Sequence, residues 1–414
     1  MRSIKLIVVL VFIIQSTFAQ WSMIHNDSLF YECSDLHFLN KDTGFVSGQI
    51  YHGRGFVLKT TDGGNNWTSI DTILGVCTSI YFINDSVGFT GGQDGIIHRT
   101  VNNGLSWDFL TGVSVWNLDF DELYFVNDSI GFIKTHYGKV FKTIDGGYNW
   151  TEKATIQYGS MFGNGKSNPF FFFKGSVGFA VGHGVYKTID YGENWIRQNA
   201  DTLNYYKGIH MIDEFKGFVV GHEGVILSTI DGGANWTISN TITTEHLNDI
   251  QFINDTVGYC VGYGIEFNND TSGVVLYTID CGVSWNRVKL SNNSLQSLQF
   301  VNDSIGYITG SYGEIFKINN ANSYFTSIHK LVLNCQIKEQ IIPNPVDDNC
   351  NVILKSDSKE MHYLKLFDIQ GKLISEYDFK EEIKIHFNKL SSGLYIYTIT
   401  NDLGYYSSGK IIKK

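Results

Sequence analysis

The stretch LKTTDGGNNW, residues 58–67, decides the fold of this chain because it returns along the sequence as apolar, Lys or Ser, Thr, any residue, Asp, then Gly and Trp. Three close copies and three looser ones share the pattern: residues 141–150, 186–195 and 227–236, and segments ending at Trp107, Trp285 and Phe325. Successive copies are 40 to 49 residues apart. A period of this length indicates a repeat architecture, so the repeat has to be interpreted before any single residue.

A second word, Asp-Ser/Thr-Val/Ile-Gly-Phe/Tyr, recurs in the same phase. It places a Gly before an aromatic residue at seven positions: Gly44, Gly88, Gly131, Gly178, Gly217, Gly258 and Gly306. Each repeat predicts four short antiparallel strands, which we name a to d in chain order. In the second repeat, strand a is residues 79–83, strand b is 88–91, strand c is 96–100, and strand d follows Trp107. One such sheet cannot bury both faces alone, so the repeats predict a seven-bladed β-propeller over residues 20–330. Residues 21–24 also resemble a d strand and are a second candidate, beside residues 325–328, to close the last blade.

Composition agrees with an all-β protein. The 414 residues include 43 Gly, only 3 Pro and 14% aromatic residues, which favours strands and turns over helices. The 31 Lys and Arg against 41 Asp and Glu give a net charge of -10, without a basic stripe. Binding to nucleic acid is therefore disfavoured.

The amino terminus resembles a secretory signal. Arg2 and Lys5 precede nine apolar residues, 6–14, and the small-residue pattern Thr17-Phe18-Ala19 follows. Nine apolar residues cannot span about 30 Å of hydrocarbon, so residues 1–19 predict a cleaved signal peptide rather than an anchor. No Cys follows closely, which argues against a lipid anchor.

The Thr-x-Asp-x-Gly-x-x-Trp word resembles the Asp-box, or bacterial neuraminidase repeat. We expect its Asp to accept N–H bonds of the c-to-d turn, its Gly to take a positive φ and its Trp to pack between sheets. The residues given this structural role are Asp62, Trp67, Asp145, Trp150, Asp190, Trp195, Asp231, Trp236, Asp280 and Trp285. The variant Asp-Gly-Gly-x-Asn-Trp, coupled to the Gly-Phe word, resembles the propellers of the photosystem II assembly-factor family. That resemblance implies a secreted propeller that binds a protein or peptide, without the photosynthetic role.

The pattern changes after residue 328, and residues 331–342 are predicted to be a linker. Short strands are expected at 351–355, 363–368, 373–379, 383–387, 394–400 and 405–412. Their alternation predicts a small immunoglobulin-like β-sandwich over residues 343–414. Pro343-Asn344-Pro345, FDIQGK (367–372), LSSGLY (390–395) and GKIIKK (409–414) resemble the type A C-terminal sorting domain of the type IX secretion system. The resemblance implies a Bacteroidetes-type bacterium, the secretion machinery as a partner, and a product that is secreted or held at the outer surface. An appended adhesion module is the alternative.

Catalysis is the less favoured interpretation. A sialidase needs three arginines that converge on a carboxylate, whereas Arg54, Arg99, Arg197 and Arg287 fall in different phases of the repeat. A glycan-active hydrolase that uses two carboxylates is the alternative function. Its candidates on the face of the d-to-a and b-to-c loops are Asp119, Asp121, Glu122, Glu223 and Glu266.

His136, His183 and His222 occupy equivalent b-to-c turns of consecutive repeats. Because packed sheets stand about 10 Å apart and zinc–nitrogen bonds are about 2 Å long, one metal ion cannot bind all three. Residues 268–273 carry oxygen ligands but lack the spaced carboxylates of an EF-hand, so a polar insertion is favoured. Neither a metal nor a cofactor is predicted.

Two insertions, residues 153–169 and 264–273, lengthen loops on the d-to-a and b-to-c face, where loop aromatic residues predict a surface that binds a protein, peptide or glycan. The candidate ligand-binding residues are His52, Arg54, Trp116, Asp121, Glu122, His136, Tyr137, Tyr158, Phe162, His183, His222, Tyr263, Glu266 and Tyr312, with Met161, Tyr205 and Tyr206 beside them. Six cysteines allow 15 pairings, and sequence proximity suggests Cys33–Cys77, Cys260–Cys281 and Cys335–Cys350.

Overall fold

The computed structural model describes residues 21–27, 29–51, 53–70, 75–110, 118–156, 170–173, 176–198, 205–239, 243–265, 271–321, 338–342, 346–347, 349–355, 361–368, 372–380, 382–401 and 406–414. Regular structure in these ranges is β, apart from two 3-10 turns at Gln93–Gly95 and His222–Gly224. The predicted all-β class is therefore confirmed. In the described ranges, no helix has the length and hydrophobicity that a membrane span requires.

The repeat region contains 28 strands. In chain order they are β1 (Ser22–His25), β2 (Phe30–Phe38), β3 (Gly44–Ile50), β4 (Arg54–Thr60), β5 (Thr68–Ile70), β6 (Cys77–Phe82), β7 (Gly88–Gly92), β8 (Ile97–Thr100), β9 (Asp108–Phe109), β10 (Phe120–Phe125), β11 (Gly131–Thr135), β12 (Lys139–Thr143), β13 (Thr151–Thr155), β14 (Phe170–Phe173), β15 (Val177–Gly182), β16 (Gly184–Thr188), β17 (Ile196–Arg197), β18 (Tyr206–Met211), β19 (Gly217–Gly221), β20 (Ile226–Thr229), β21 (Thr237–Ile238), β22 (His246–Phe252), β23 (Gly258–Ile265), β24 (Thr271–Thr278), β25 (Asn286–Ser291), β26 (Leu295–Phe300), β27 (Gly306–Gly310) and β28 (Ile315–Ile318).

Among the described residues from 21 to 321 these strands form seven four-stranded antiparallel sheets, which we number as blades 1 to 7 from β2 onward. Blades 1 to 6 each take four consecutive strands, from β2–β5 to β22–β25. Blade 7 has the order β1-β28-β27-β26, so the amino-terminal strand supplies its outer edge. Ser22 pairs with Lys317 and Met23 with Phe316. The outer position of blade 7 is thus filled by β1, while residues 325–328 lie outside the described residues.

Six of the seven glycines of the Gly-aromatic word lie under the side chain that ends the preceding strand a. A Cβ on Gly88 would stand 2.7 Å from the ring of Phe82, and one on Gly131 would stand 2.6 Å from Phe125. The equivalent pairs are Gly44 with Phe38, Gly217 with Met211, Gly258 with Phe252 and Gly306 with Phe300. The Gly is therefore required by close packing against this side chain, which is Phe in five of the six pairs and Met in the other.

Aromatic stacking joins neighbouring blades. The ring of Phe45 in blade 1 stacks on Phe82 in blade 2, with centroids 4.1 Å apart, and Phe89 in blade 2 stacks on Phe125 in blade 3 at 4.8 Å. The second box glycine packs in the same layer, since a Cβ on Gly147 would stand 2.8 Å from Phe89. The two repeated words therefore interlock across each blade boundary, which is how local motifs specify the ring.

The c-to-d turn is held by its aspartate. Asn66 donates from its backbone N to Asp62 Oδ1 at 2.9 Å and from its Nδ2 to Asp62 Oδ2 at 2.7 Å. Thr60 Oγ1 also donates to Asp62 Oδ1, at 2.9 Å, and accepts from the N of Gly64. Asp145, Asp190, Asp231 and Asp280 repeat this arrangement. Several donors converge on one carboxylate here, and they are all part of its own turn.

The box tryptophan packs edge-on against the aromatic layer. Trp150 lies 6.0 Å from Phe125 at an interplanar angle of 73°. Related contacts join Trp67 with Phe38, Trp107 with Phe82, Trp195 with Phe132, Trp236 with Phe179 and Trp285 with Phe252. In blade 7 the partner of Phe300 is Trp21, at 6.0 Å. Trp21 therefore occupies the place of a box tryptophan although it stands at the opposite end of the propeller sequence.

The carboxyl-terminal part has seven strands in the described ranges: β29 (Lys338–Ile342), β30 (Asn349–Lys355), β31 (His362–Asp368), β32 (Leu373–Phe379), β33 (Glu382–His386), β34 (Gly393–Asn401) and β35 (Tyr406–Lys413). They form a three-stranded sheet, β29-β30-β33, and a four-stranded sheet, β32-β31-β34-β35. The six strands predicted from sequence lie within two residues of the observed bounds of β30 to β35. The linker predicted at residues 331–342 is wrong for Lys338–Ile342, because these residues form β29 and pair with β30. Leu364, Leu366, Ile385, Phe387 and Ile399 form part of one core. Their assignment as an immunoglobulin-like sandwich stays a prediction.

Two of the suggested disulfide pairs are wrong. Cys33, Cys77 and Cys260 are fully buried free thiols. Cys33 packs with Phe30 and Leu36, whereas Cys77 packs with other residues in a different layer between blades. Burial raises the pKa of Cys77 to about 12. For Cys33 and Cys77 the equivalent positions of neighbouring blades face different interfaces, and Cys260 is buried within β23 in the same blade as Cys281 without bonding to it. Cys335 and the Cys350 side chain lie outside the described part of the chain.

Candidate functional site

A cavity opens on the face that carries the d-to-a and b-to-c connections. Its volume is about 180 Å³. Blades 1, 2 and 3 line it through the starts of their a strands and through their b-to-c connections: Glu32, Ser34, Gln49, Val76, Thr78, Gln93, Asp119, Phe120, Asp121 and His136. We call it the blade 1–3 cavity. The Asp-box turns follow the c strands, at the other end of the blades, so the repeated aspartates take no part in it.

Asp121 is engaged through both of its carboxylate oxygens. Lys134 Nζ lies 3.0 Å from Oδ2, and His136 Nδ1 lies 3.3 Å from Oδ1. The Lys134 side chain is only 2% exposed. Burial acts to raise the pKa of Asp121, but the charge of Lys134 and the His136 hydrogen bond outweigh it and lower the pKa. The hydrogen bond to Asp121 correspondingly raises the pKa of His136. Asp121 is therefore held as a carboxylate within an ion-paired group.

Glu32 lines the same cavity and was not predicted from the sequence. It is 8% exposed, and burial raises its pKa. Gln49 Nε2 donates to Glu32 Oε2 at 3.1 Å. The cavity thus contains two carboxyl groups whose pKa values are shifted in opposite directions by their surroundings.

A buried lysine lies near these carboxylates. Lys207 is 1% exposed, and its Nζ donates to Asn248 Oδ1 at 2.9 Å. Asn248 in turn donates from Nδ2 to the carbonyl of Leu295 at 2.6 Å. Burial lowers the pKa of Lys207 to about 8, against the opposing charges of Asp121 and Glu32. This chain of bonds ties blades 5, 6 and 7 together beside the cavity.

Aromatic and imidazole rings continue the face across blades 4, 5 and 6. Tyr205 lies between His183, at 5.4 Å, and His222, at 5.2 Å. His246 lies 4.6 Å from His222 and 5.1 Å from Tyr263. We call these five residues the imidazole arc. Burial, followed by the charge of Lys207, lowers the pKa of His222 to about 3, so this imidazole is neutral at physiological pH. The Nε2 atoms of His183 and His222 are buried and receive no hydrogen bond from any residue that the structure describes.

Three exposed tyrosines flank the cavity on its other side. Tyr31 lies 5.4 Å from Tyr51 and 6.3 Å from Tyr312, measured between ring centroids. They are 46%, 46% and 43% exposed, respectively. The backbone N of Tyr312 donates to the carbonyl of Tyr31 at 2.9 Å, which fixes blade 7 against blade 1 at this point. We call these residues the tyrosine cluster.

The structure brings many of the predicted residues to one face and corrects two. Asp121, His136, His183, His222, Tyr263 and Tyr312 lie at the cavity, in the arc or in the tyrosine cluster, and Arg54 and Tyr137 are exposed beside b-to-c turns. Glu122 is only 5% exposed because β10 pairs it directly with Lys134 inside the sheet. Tyr206 is fully buried at the start of β18. His52, Trp116, Tyr158, Met161, Phe162 and Glu266 lie outside the described residues.

Residues that the sequence did not single out supply much of this face: Glu32, Lys134, Lys207, His246, Tyr31 and Tyr51. Tyr31 and Tyr51 border loops of the predicted face and could have been found by their phase in the repeat. Within the ranges described by the structure, no group of three or more His, Cys, Asp or Glu side chains is arranged to hold a metal ion.

Both parts of the chain match known protein families. Residues 340–414 match the family model of the secretion system C-terminal sorting domain, and residues 187–326 match that of the photosynthesis system II assembly factor YCF48. A solved structure of YCF48 bound to a D1 peptide is 16% identical, with a TM-score of 0.56, and the match covers 72% of this chain and 97% of that one. YCF48 from Cyanidioschyzon merolae is also 16% identical, with a TM-score of 0.56 and coverage of 73% and 99%. No curated protein matches the sequence.

The WD40 β-propeller domain of Doa1 is similar as well, at 11% identity and a TM-score of 0.54, with coverage of 75% of this chain and 100% of that domain. At such identities the likeness shows the fold alone: this is a β-propeller protein. The two family models show in addition that a YCF48-like propeller repeat is followed by a secretion-system sorting domain. They confirm the resemblance that the repeated sequence motifs predicted. The sorting domain indicates export to the outer surface or secretion.

Proposed function

We propose that this chain is a secreted or cell-surface, non-catalytic propeller scaffold whose cavity-bearing face binds a protein or peptide. The observation that carries the proposal is the single face that combines the blade 1–3 cavity, the imidazole arc and the tyrosine cluster on rigid blades. Large, stiff aromatic side chains on such a scaffold provide binding energy at a low cost in entropy. The YCF48 structure solved with a D1 peptide is a precedent for a peptide ligand on this fold.

The proposed organisation is a signal peptide (1–19), a seven-bladed propeller (20–330), a linker that ends before β29, and an immunoglobulin-like sorting domain that begins with β29 and addresses the chain to the type IX machinery. Deleting residues 340–414 in the native host should leave the propeller in the periplasm. Unchanged appearance of the truncated chain in the medium or on the cell surface would contradict this export route.

The hydrolase alternative has one observation in its favour. Glu32 and Asp121 line the same cavity with pKa values shifted apart, which is the division of roles found in acid–base pairs. Against it, both oxygens of Asp121 already bind Lys134 and His136. We therefore place binding first.

The test is a peptide array and a glycan array probed with the mature chain and two tyrosine variants. Tyr137→Ala removes a ring that is 62% exposed on the cavity face, whereas Tyr148→Ala removes one that is 55% exposed in a c-to-d turn. We expect peptide binding that Tyr137→Ala weakens at least tenfold and Tyr148→Ala leaves unchanged. Equal loss in both variants, or glycan cleavage that Glu32→Gln abolishes, would overturn the proposal.

A further inference from the structure

The wall of the blade 1–3 cavity is acidic. Among the described residues, three carboxylates line it, those of Glu32, Asp119 and Asp121, and neither Lys nor Arg does so. The charge of Asp121 is offset by Lys134, and Asp119 Oδ1 accepts from the backbone N of Asp94 at 2.8 Å. Glu32 forms no ion pair with a described Lys or Arg, and the charge of the buried Lys207 lowers its pKa by less than burial raises it.

The hydrogen bonding of Glu32 is incomplete. Its Oε2 accepts from Gln49, while no hydrogen bond reaches Oε1 from the described residues. No Lys or Arg in the described part of the chain comes within 4.0 Å of this carboxyl group. Burying a carboxylate without a paired cation is costly, and a donor from outside would relieve that cost. A side chain that is 8% exposed and has one oxygen unengaged at a cavity wall is therefore suited to an incoming positive group.

The tyrosine cluster lies next to this carboxylate along the chain. Tyr31 immediately precedes Glu32, and Tyr51 stands two residues after Gln49. Exposed aromatic rings attract cations and form the strongest contacts of many interfaces. The cavity, at about 180 Å³, is far larger than the roughly 30 Å³ of one water molecule, so it has room for a side chain.

We propose that the blade 1–3 cavity binds one Lys or Arg side chain of a basic segment in a partner protein, with Glu32 as counter-ion and the tyrosine cluster packed against the flanking residues. This inference rests on the proposed binding function and narrows it to a chemical class of ligand. Charge complementarity supports a basic partner, because the whole chain carries a net charge of -10.

The experiment compares two synthetic peptides on the mature protein by isothermal calorimetry. One contains a central Arg within a Gly-Ser and Tyr-containing sequence, and the other carries citrulline, which has the same shape without the charge. We expect the Arg peptide to bind at least tenfold more tightly. Equal affinity of the two peptides would overturn the inference, and this comparison uses only the unaltered protein.

Variants then locate the site. Glu32→Gln should remove the preference for Arg, while Asp85→Asn, which deletes an exposed carboxylate in an a-to-b turn at the other end of the blades, should retain it. A preference that survives Glu32→Gln in a protein with native thermal stability would refute the assignment. If array peptides bind the cavity face equally well with and without a positive charge, the cation site is refuted and the proposed binding function stands. If no peptide binds this face, the cation site and the binding function are both refuted.

Discussion

The ring of Tyr307 stacks on the ring of Phe38, with centroids 3.7 Å apart and planes within 10°. Tyr307 belongs to blade 7 and Phe38 to blade 1, so two residues far apart in the sequence make the contact that Phe45 and Phe82 make between adjacent repeats. The Tyr307 hydroxyl also donates to the carbonyl of Gly63 at 3.2 Å, and Lys317 Nζ donates to the same oxygen at 2.8 Å. The last blade is therefore joined to the first by the same kind of aromatic stacking that joins blade 1 to blade 2.

Loss of Trp21 should weaken the last blade. Trp21 is half-buried and packs edge-on against Tyr259 and Phe300, next to the strand that completes blade 7. Trp21→Ala should lower the free energy of unfolding by about 2 kcal/mol, less than for a fully buried Trp. Chemical denaturation measures the change. Met23→Ala, at a side chain on β1 that is 46% exposed, is the control, and equal stability of the two variants would contradict the proposed closure.

A methyl group on Gly88 should be costly because it would meet the ring of Phe82 at 2.7 Å. We expect Gly88→Ala to destabilise the propeller by about 2 kcal/mol. The same substitution should cost much less in a Phe82→Ala background, where the ring is absent. A double-mutant cycle measures this coupling, and strictly additive effects would show that the ring does not set the requirement for Gly.

The c-to-d turns offer a natural comparison, because blade 2 has Asn102 where blades 1 and 3 to 6 have Asp. Asn102 Nδ2 donates to Ser106 Oγ at 2.9 Å, whereas in blade 3 Asp145 Oδ2 accepts from Asn149 Nδ2 at 2.7 Å. Asp145→Asn would place two donors against each other and should cost about 1 kcal/mol. Asn102→Asp should be neutral or stabilising, since Ser106 can donate instead. Thermal melts of both variants test this, and equal losses would refute the assignment of roles.

Acid should weaken these turns over a defined range. The hydrogen bond from the Asn194 side chain, with others, lowers the pKa of Asp190 to about 2, and the Asn66 side chain lowers the pKa of Asp62. Because an unfolded Asp titrates near pH 3.9, the stabilisation is fully present above about pH 4 and is lost as the pH falls through 2. Melting temperatures from pH 5 to pH 2 should fall, and less steeply in Asp190→Asn. A flat profile for the unaltered protein would contradict this cause.

The sequence predicts the blades well because their determinants are local. Gly88 and Phe82 are a few residues apart, and Asp62 bonds to Thr60 and Asn66 within its own turn. Trp21 could be identified as part of a d strand from its word, but only the pairing of β1 with β28 shows which edge it completes.

The site was harder to predict because its residues are not repeated. Glu32 and Lys207 each lie in the first strand of a blade. The neighbouring sequence does not show whether such a side chain is buried at the cavity or exposed on the surface of the blade. Arranging the blades in a ring decides that they become buried near Asp121. Glu122 shows the converse: its charge suggested an exposed loop residue, but its register with Lys134 buries it.

The central claim is that the cavity-bearing face, and not the c-to-d face, meets the partner. Site-specific photo-crosslinking in the native host measures this directly, with the crosslinking residue placed at position 51 or 137 on the cavity face, or at 105 or 144 on c-to-d turns. Tyr51, Tyr137, Leu105 and Ile144 are all at least 46% exposed, so access is matched. We predict crosslinks to one extracellular protein or peptide from positions 51 and 137 only; crosslinks confined to positions 105 and 144 would contradict the account.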